Sequence, residues 1–169
     1  MKVKYSWQQV LLHWLSAVVI IWATVSGFYI GLFAASPSCK ALIGFINVSL
    51  TTIFIPFFLI RVFYFFKHGK PLNDKRKSFS SCLANFVHVI LYINITLVLV
   101  TGVLMMESDI NVFNIFKIPQ PFHQIALTSV FNKCHVFSCT TLALLVILHI
   151  SAVIKHHLYG NKILRRMSF

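Results

Sequence analysis

Four of the eight histidines, His13, His88, His135 and His149, fall inside long apolar stretches. An imidazole in hydrocarbon is costly and points to function. His135 and His149 lie 14 residues apart on one stretch. At about 100° and 1.5 Å per residue, a helix brings both side chains to nearly one face, about 21 Å apart along its axis. That spacing suits two haem groups stacked across a bilayer, one near each surface. Each iron then needs a second axial donor from another helix at matching depth. His13, a few residues into the first apolar stretch, matches His149. Two neutral imidazoles leave no open position at iron, which favours electron transfer over substrate binding there. His135 is harder to complete. Its partner is expected near the exterior end of the second stretch, and the residue at that depth is Asn47, a poor haem ligand. Three arrangements are open. The outer haem is five-coordinate; or another donor substitutes, with Met105, Met106 or His123 nearest in depth; or the outer haem is absent and His135 only hydrogen-bonds. The reading taken forward is an outer haem with altered ligation.

The remaining histidines carry weaker signals. His88, at the cytoplasmic end of the third stretch, is close in depth to His13. It can compete for the inner iron, donate to a haem propionate or touch a quinone headgroup, and an interfacial polar role explains it equally well. His156 and His157 border the surface, where lipid headgroups or propionates are the natural contacts. His68 sits in a basic loop with no specific role. A lone intramembrane histidine reads as helix glue bonded to a carbonyl; three at correlated depths do not. A zinc or iron transporter is disfavoured, because no Asp or Glu lies deep in a span to supply carboxylate ligands. No CxxCH motif is present, so a haem would be held without covalent attachment, as b-type.

The elements that must position these groups follow from composition. Of 169 residues, 58% are hydrophobic and 11% charged, with 17 Phe against three acidic side chains. A soluble fold of this size exposes too much surface to hide that apolar content, and a disordered chain has too little to bury. The fold class is therefore all-α: an integral membrane four-helix bundle forming a single domain, with spans at about 7–33, 41–66, 82–106 and 130–158. The alternating polarity of a barrel is absent. The first stretch is too long for a signal-peptide core and is read as a retained helix.

Twelve Lys and Arg flank one side of these spans, whereas Lys40, Lys117 and Lys133 lie on the other with Glu107 and Asp109. The positive-inside rule places both termini in the cytoplasm. The net charge of +12 then reads as orientation signal and attraction to an anionic lipid bilayer rather than to nucleic acid. Gly27 and Gly31 form a GxxxG, Pro56 is expected to kink the second span, and residues 107–129 form the one sizeable exterior loop. Cys39 and Cys134 share the exterior end, where a disulfide is geometrically feasible; Cys82 and Cys139 read as packing.

Taken together, the residues resemble the bacterial cytochrome b561 family. The matching pieces are Lys4-Tyr5-Ser6 followed by Leu12-His13-Trp14-Leu15, Arg61 closing the second helix, His88 before Leu91-Tyr92, and Gly102-Val103-Leu104-Met105-Met106. On the last helix they are His135, Leu148-His149, His156-His157 and Asn161 to Met167. The resemblance implies four helices with two b-type haems, the inner held by His13 and His149, the outer by His135 and a second-helix histidine. The chain departs from the pattern there, with Asn47 in Ile46-Asn47-Val48-Ser49. The resemblance further implies a multi-pass protein of the bacterial inner membrane that exchanges electrons with ubiquinone. One branch of the family is a superoxide:ubiquinone oxidoreductase. Other relatives are haem-bearing anchor subunits that relay electrons from a partner dehydrogenase or hydrogenase.

Overall fold

The computed structural model describes residues 6–68 and 79–159. Lys2, Lys4, Lys70, Lys75, Arg76, Lys77, Lys162, Arg165 and Arg166, on which much of the charge asymmetry rests, lie outside the described residues, as do the side chains of His68 and Cys82 and the segment from Asn161 to Met167.

Four helices account for most of the chain: α1 (Trp7–Leu32), α2 (Pro37–His68), α3 (Phe79–Leu104) and α4 (Ile125–Leu158). Each is long and apolar enough to cross a membrane. Their starts are written locally. Ser6 caps α1 through a reciprocal box: its hydroxyl accepts from the Gln9 N–H while the Gln9 side chain takes the Ser6 N–H. Ser36 caps the next helix, its Oγ accepting from Cys39 N at 3.3 Å. Pro37 then occupies the first helical position, where a missing N–H costs nothing. This is why α2 begins ahead of the expected residue 41, since Ser-Pro is a start signal that apolarity alone does not mark. The helix continues through Pro56. Hydroxyls within the spans return to carbonyls one turn back, as Ser16 does to Leu12 at 2.6 Å and Thr52 to Val48 at 2.7 Å. In a solvent without hydrogen bonds, this is how a short polar side chain is satisfied.

The connection from α3 to α4 is more than a loop. Its last residues belong to α4, which starts at Ile125 rather than 130, while α3 ends at Leu104 rather than 106. Between them, β1 (Ile110–Val112) and β2 (Phe116–Ile118) form an antiparallel hairpin pairing Ile110 with Ile118 and Val112 with Phe116. Phe113 and Asn114 make the turn at φ 47° and 58°, the two positive values of a hairpin turn whose twist matches its strands. A phenylalanine is rarely found in this left-handed region. Ser49 of α2 holds it there: its fully buried Oγ accepts from Phe113 N and donates to the Asn111 carbonyl, both at 3.1 Å. Phe45 packs edge-on against the Phe113 ring.

The helices pack as two antiparallel pairs, α1 on α2 and α3 on α4, joined mainly through α2 and α3. The register of the second pair is regular. His88 of α3 meets His149 of α4, and Gly102 of α3 meets His135; both intervals are 14 residues. Midway between these contacts sits the buried core of Val19, Phe54, Phe58, Ile95 and Leu142, with residues from every helix. The GxxxG is not used for close approach among the described residues, since a Cβ on Gly27 or Gly31 would meet nothing within 4 Å.

Candidate functional site

The apolar core divides two polar layers. In the inner one, α1 contributes His13, about one turn after the capping box, and α2 contributes Arg61. Arg61 Nη2 lies 3.1 Å from His13 Nδ1. A guanidinium can only donate. His13 Nδ1 therefore accepts, and the ring proton is on Nε2. The Arg61 guanidinium also lies 5.1 Å from the Tyr92 ring centroid, and Tyr92 packs on Phe65 at 4.8 Å. From the other helix pair, His149 of α4 meets His88 of α3 edge to face, with centroids 5.2 Å apart. His88 and His149 both lie within electrostatic range of His13, and Arg61 within range of His149. All four helices thus deliver a polar group to one level. The fold puts His88 against His149 and Arg61 against His13, and Arg61 and Tyr92 join this layer although sequence reasoning treated them only as parts of a pattern. α1 and α4 bring His13 and His149 to this level while making few direct contacts with each other.

The outer layer is built differently. His135 Nδ1 lies 3.1 Å from the Val98 carbonyl and 3.2 Å from Thr101 Oγ1. The Thr101 hydroxyl proton is spent on Leu97 O at 2.6 Å. Both neighbours of Nδ1 are therefore acceptors, so Nδ1 carries the proton and Nε2 keeps its lone pair. The Cys139 thiol, 3.4 Å from Nε2, is a donor consistent with that tautomer. Cys139 accordingly does more than fill space. The imidazole fits against α3 because residue 102 is glycine: a Cβ there would sit 3.2 Å from His135 Cε1. A backbone carbonyl on Nδ1 with Nε2 left to coordinate is how proteins orient a metal-bound histidine. His135 is oriented in that way, with the Cys139 thiol facing its Nε2.

Asn47 faces the other pair. Its side-chain amide meets Ser26 Oγ of α1 at 3.0 Å, while the Ser26 hydroxyl proton goes back to the Trp22 carbonyl at 2.7 Å. Asn47 and His135 are each ten residues from the start of their helices, so the depth match holds although both helices begin earlier than expected. The proposed substitutes are placed elsewhere. Met105 and Met106 follow the end of α3, and exposed His123 is hydrogen-bonded by Gln120. Cys39 and Cys134 are free thiols, not a disulfide; they lie in different helix pairs, one residue half-buried and the other exposed. Ser26 and Thr101 escaped the sequence reading, and Gly102 entered it only as part of a pattern, because each acts through a tertiary neighbour. A polar Asn47 deep in a span was the one available hint that a partner existed.

A family model described as prokaryotic cytochrome b561 matches residues 4–169 of the chain.

Proposed function

The chain belongs to the prokaryotic cytochrome b561 family, and on that premise we propose that its inner layer holds a b-type haem between His13 and His149 and exchanges electrons with ubiquinone in the bacterial inner membrane. The chain is a multi-pass bacterial membrane protein of haem-based electron transfer. What supports the specific site is that histidines from the first and last helices reach one level from opposite helix pairs. When bound, the haem supplies one-electron redox chemistry, and the protein supplies ligation, burial and charge.

His149 and His13 would hold the haem iron in this reading, and His88 packs across the His149 ring. To offer Nε2, His13 would carry its proton on Nδ1, and the Arg61 guanidinium would then be free to pair with an anionic group. Both termini face the cytoplasm, which puts this layer near the cytoplasmic surface and the quinone headgroup region. His135, with its ring oriented by the Val98 carbonyl, would hold an outer haem. The exterior face carries Lys40, Lys117 and Lys133, a modest basic field that raises the encounter rate of a small anion. Superoxide oxidation coupled to ubiquinone reduction is the enzymatic activity this wiring suits.

His149→Ala should remove the inner haem entirely, and His13→Ala nearly so, measured as haem per protein and as loss of the bis-imidazole spectrum. A normal low-spin spectrum retained in either variant overturns the assignment. Quinone reduction by the purified chain supplied with superoxide tests the activity. A second reading, a haem-bearing anchor for a partner dehydrogenase, is favoured by the exposed apolar tip of the hairpin, where Ile115, Phe116 and Ile118 project outward. Quinone reduction that appears only with a co-purified subunit would select it.

A further inference from the structure

The hairpin between α3 and α4 is a two-faced plate. Residues paired across an antiparallel ladder share a face, and neighbours along a strand alternate. The pairs Ile110–Ile118 and Val112–Phe116 therefore form one apolar face, and the pair Asn111–Lys117 belongs to the other. Ile110 and Val112 are buried against α2, whereas Phe116 and Ile118 on the same face are 49% and 37% exposed. The apolar face is thus wider than the helix it rests on, and its β2 half overhangs. The polar atoms of the turn are matched within the protein. Phe113 N and Asn111 O meet Ser49 Oγ. Asn114 N donates to Asn111 Oδ1 at 3.0 Å, Ile115 N to Val112 O at 2.9 Å, and Asn111 Nδ2 to Asn114 Oδ1 at 2.6 Å. Three successive N–H groups at the turn thus need no water, the condition that backbone in contact with hydrocarbon must meet. The depth agrees. Ser49 precedes Phe54 and Phe58 of the middle layer by five and nine residues, about 7.5 to 13.5 Å along α2. With that layer at the bilayer centre, hydrocarbon extends about 15 Å outward, so the tie between Ser49 and the hairpin falls just inside its edge.

The opposite face carries the complement of a lipid phosphate. The carboxamide oxygens of Asn111 and Asn114 are both taken up within the turn. What these side chains offer beyond it is N–H groups, and Lys117 adds an ammonium. All three line one cavity, together with Ile115 and Phe116. We propose that the hairpin is an interfacial lipid-binding plate: Phe116 and Ile118 sit among the acyl chains of the adjacent leaflet, while Lys117, Asn111 and Asn114 hold the phosphate of an anionic headgroup. Because Ser49 ties the plate to α2 two residues beyond Asn47, it sets the depth of the outer polar layer below the headgroups. The inference needs only the membrane crossing, and stands whether or not either layer takes a haem.

The test uses the full chain carrying Phe116→Trp in nanodiscs of mixed phosphatidylcholine and phosphatidylglycerol, read against wild type so that Trp7, Trp14 and Trp22 cancel. Bromine on the acyl chains should quench the added emission, and aqueous iodide should leave it unchanged. At equal mole fraction, bromine on phosphatidylglycerol should quench more than bromine on phosphatidylcholine. The local enrichment behind this is up to roughly fivefold, the contribution of one basic residue at an anionic lipid surface. Adding Lys117→Gln should erase the preference and keep the acyl-chain quenching. Quenching by iodide in place of bromine puts the plate in water and overturns the proposal. Emission quenched by neither means that protein covers the face, a partner subunit or a second copy, and overturns it equally. Bromine quenching without a lipid preference, or a preference that survives Lys117→Gln, overturns the headgroup assignment. Ile118→Trp on the same face gives the same reading should Phe116→Trp not fold. Haem per protein, measured on the same samples, should match wild type, so a failure of the lipid proposal is distinguishable from a failure of the proposed function.

Discussion

At the scale of single residues, what matters is which atom of each imidazole is already engaged. His13 and His135 are chemically identical side chains, yet a guanidinium donates to Nδ1 of the first and a carbonyl accepts from Nδ1 of the second. The two rings therefore hold their protons on opposite nitrogens. Arg61 also places a permanent positive charge within range of both His13 and His149. A nearby cation favours the reduced, less positive form of a redox centre. Arg61→Met should therefore lower the midpoint potential of the inner haem, by roughly 1 kcal/mol or about 40 mV for one electron through an effective dielectric near 20. Redox titration of wild type and variant reads this directly, and an unchanged potential would place Arg61 outside the site. None of this was legible in sequence beyond the presence of an arginine near the end of a span, because a tautomer is set by a neighbour 48 positions away.

At the scale of elements, helix existence was legible and helix ends were less so. Apolar run length marked all four spans, but α2 and α4 each gained residues from signals that apolarity does not carry, such as the Ser36-Pro37 start. The hairpin was missed altogether. Its turn is Phe113-Asn114 rather than the Asn-Gly that advertises such a turn, and its strands are three residues long. Ser49 makes the turn tolerable from 64 residues away. Ser49→Ala should leave the Phe113 N–H and the Asn111 carbonyl without the partner that ties them to α2, costing about 1–3 kcal/mol. The corresponding fall in the thermal midpoint is about 5 °C for a chain of this size. Thermal unfolding in detergent tests it, with haem content expected to hold. A midpoint equal to wild type would mean the hairpin stands without that tie.

At the scale of the whole molecule, a polar layer, an apolar layer and a second polar layer alternate along the bundle axis. Val19, Phe54, Phe58, Ile95 and Leu142 form the middle one, shared by all four helices. Ile95 and Leu142 each fall at the midpoint of the 14-residue interval on their helix. The two polar layers are thereby held apart by packed apolar side chains. An even number of helices sends α1 in and α4 out at one end, the end that carries His13 and His149. The charge asymmetry of the sequence predicts, by the positive-inside rule, that this end is cytoplasmic. A reporter that fluoresces only in the cytoplasm should light up when fused after Phe169 and stay dark when inserted at the hairpin turn. The reverse pattern would invert the molecule and move the proposed quinone site to the opposite face.

Composition and periodicity by themselves determined that this chain crosses a membrane four times and which helices carry imidazoles at which depth. Those properties are local: they depend on run length, rise per residue and the cost of polar groups in lipid. Only the tertiary structure decided that Arg61 controls His13, that Val98, Thr101 and Gly102 orient His135, and that Asn47 turns to Ser26. Hydrogen-bond partners and shared layers are fixed by the register between helices, and register arises from packing of side chains far apart in the chain.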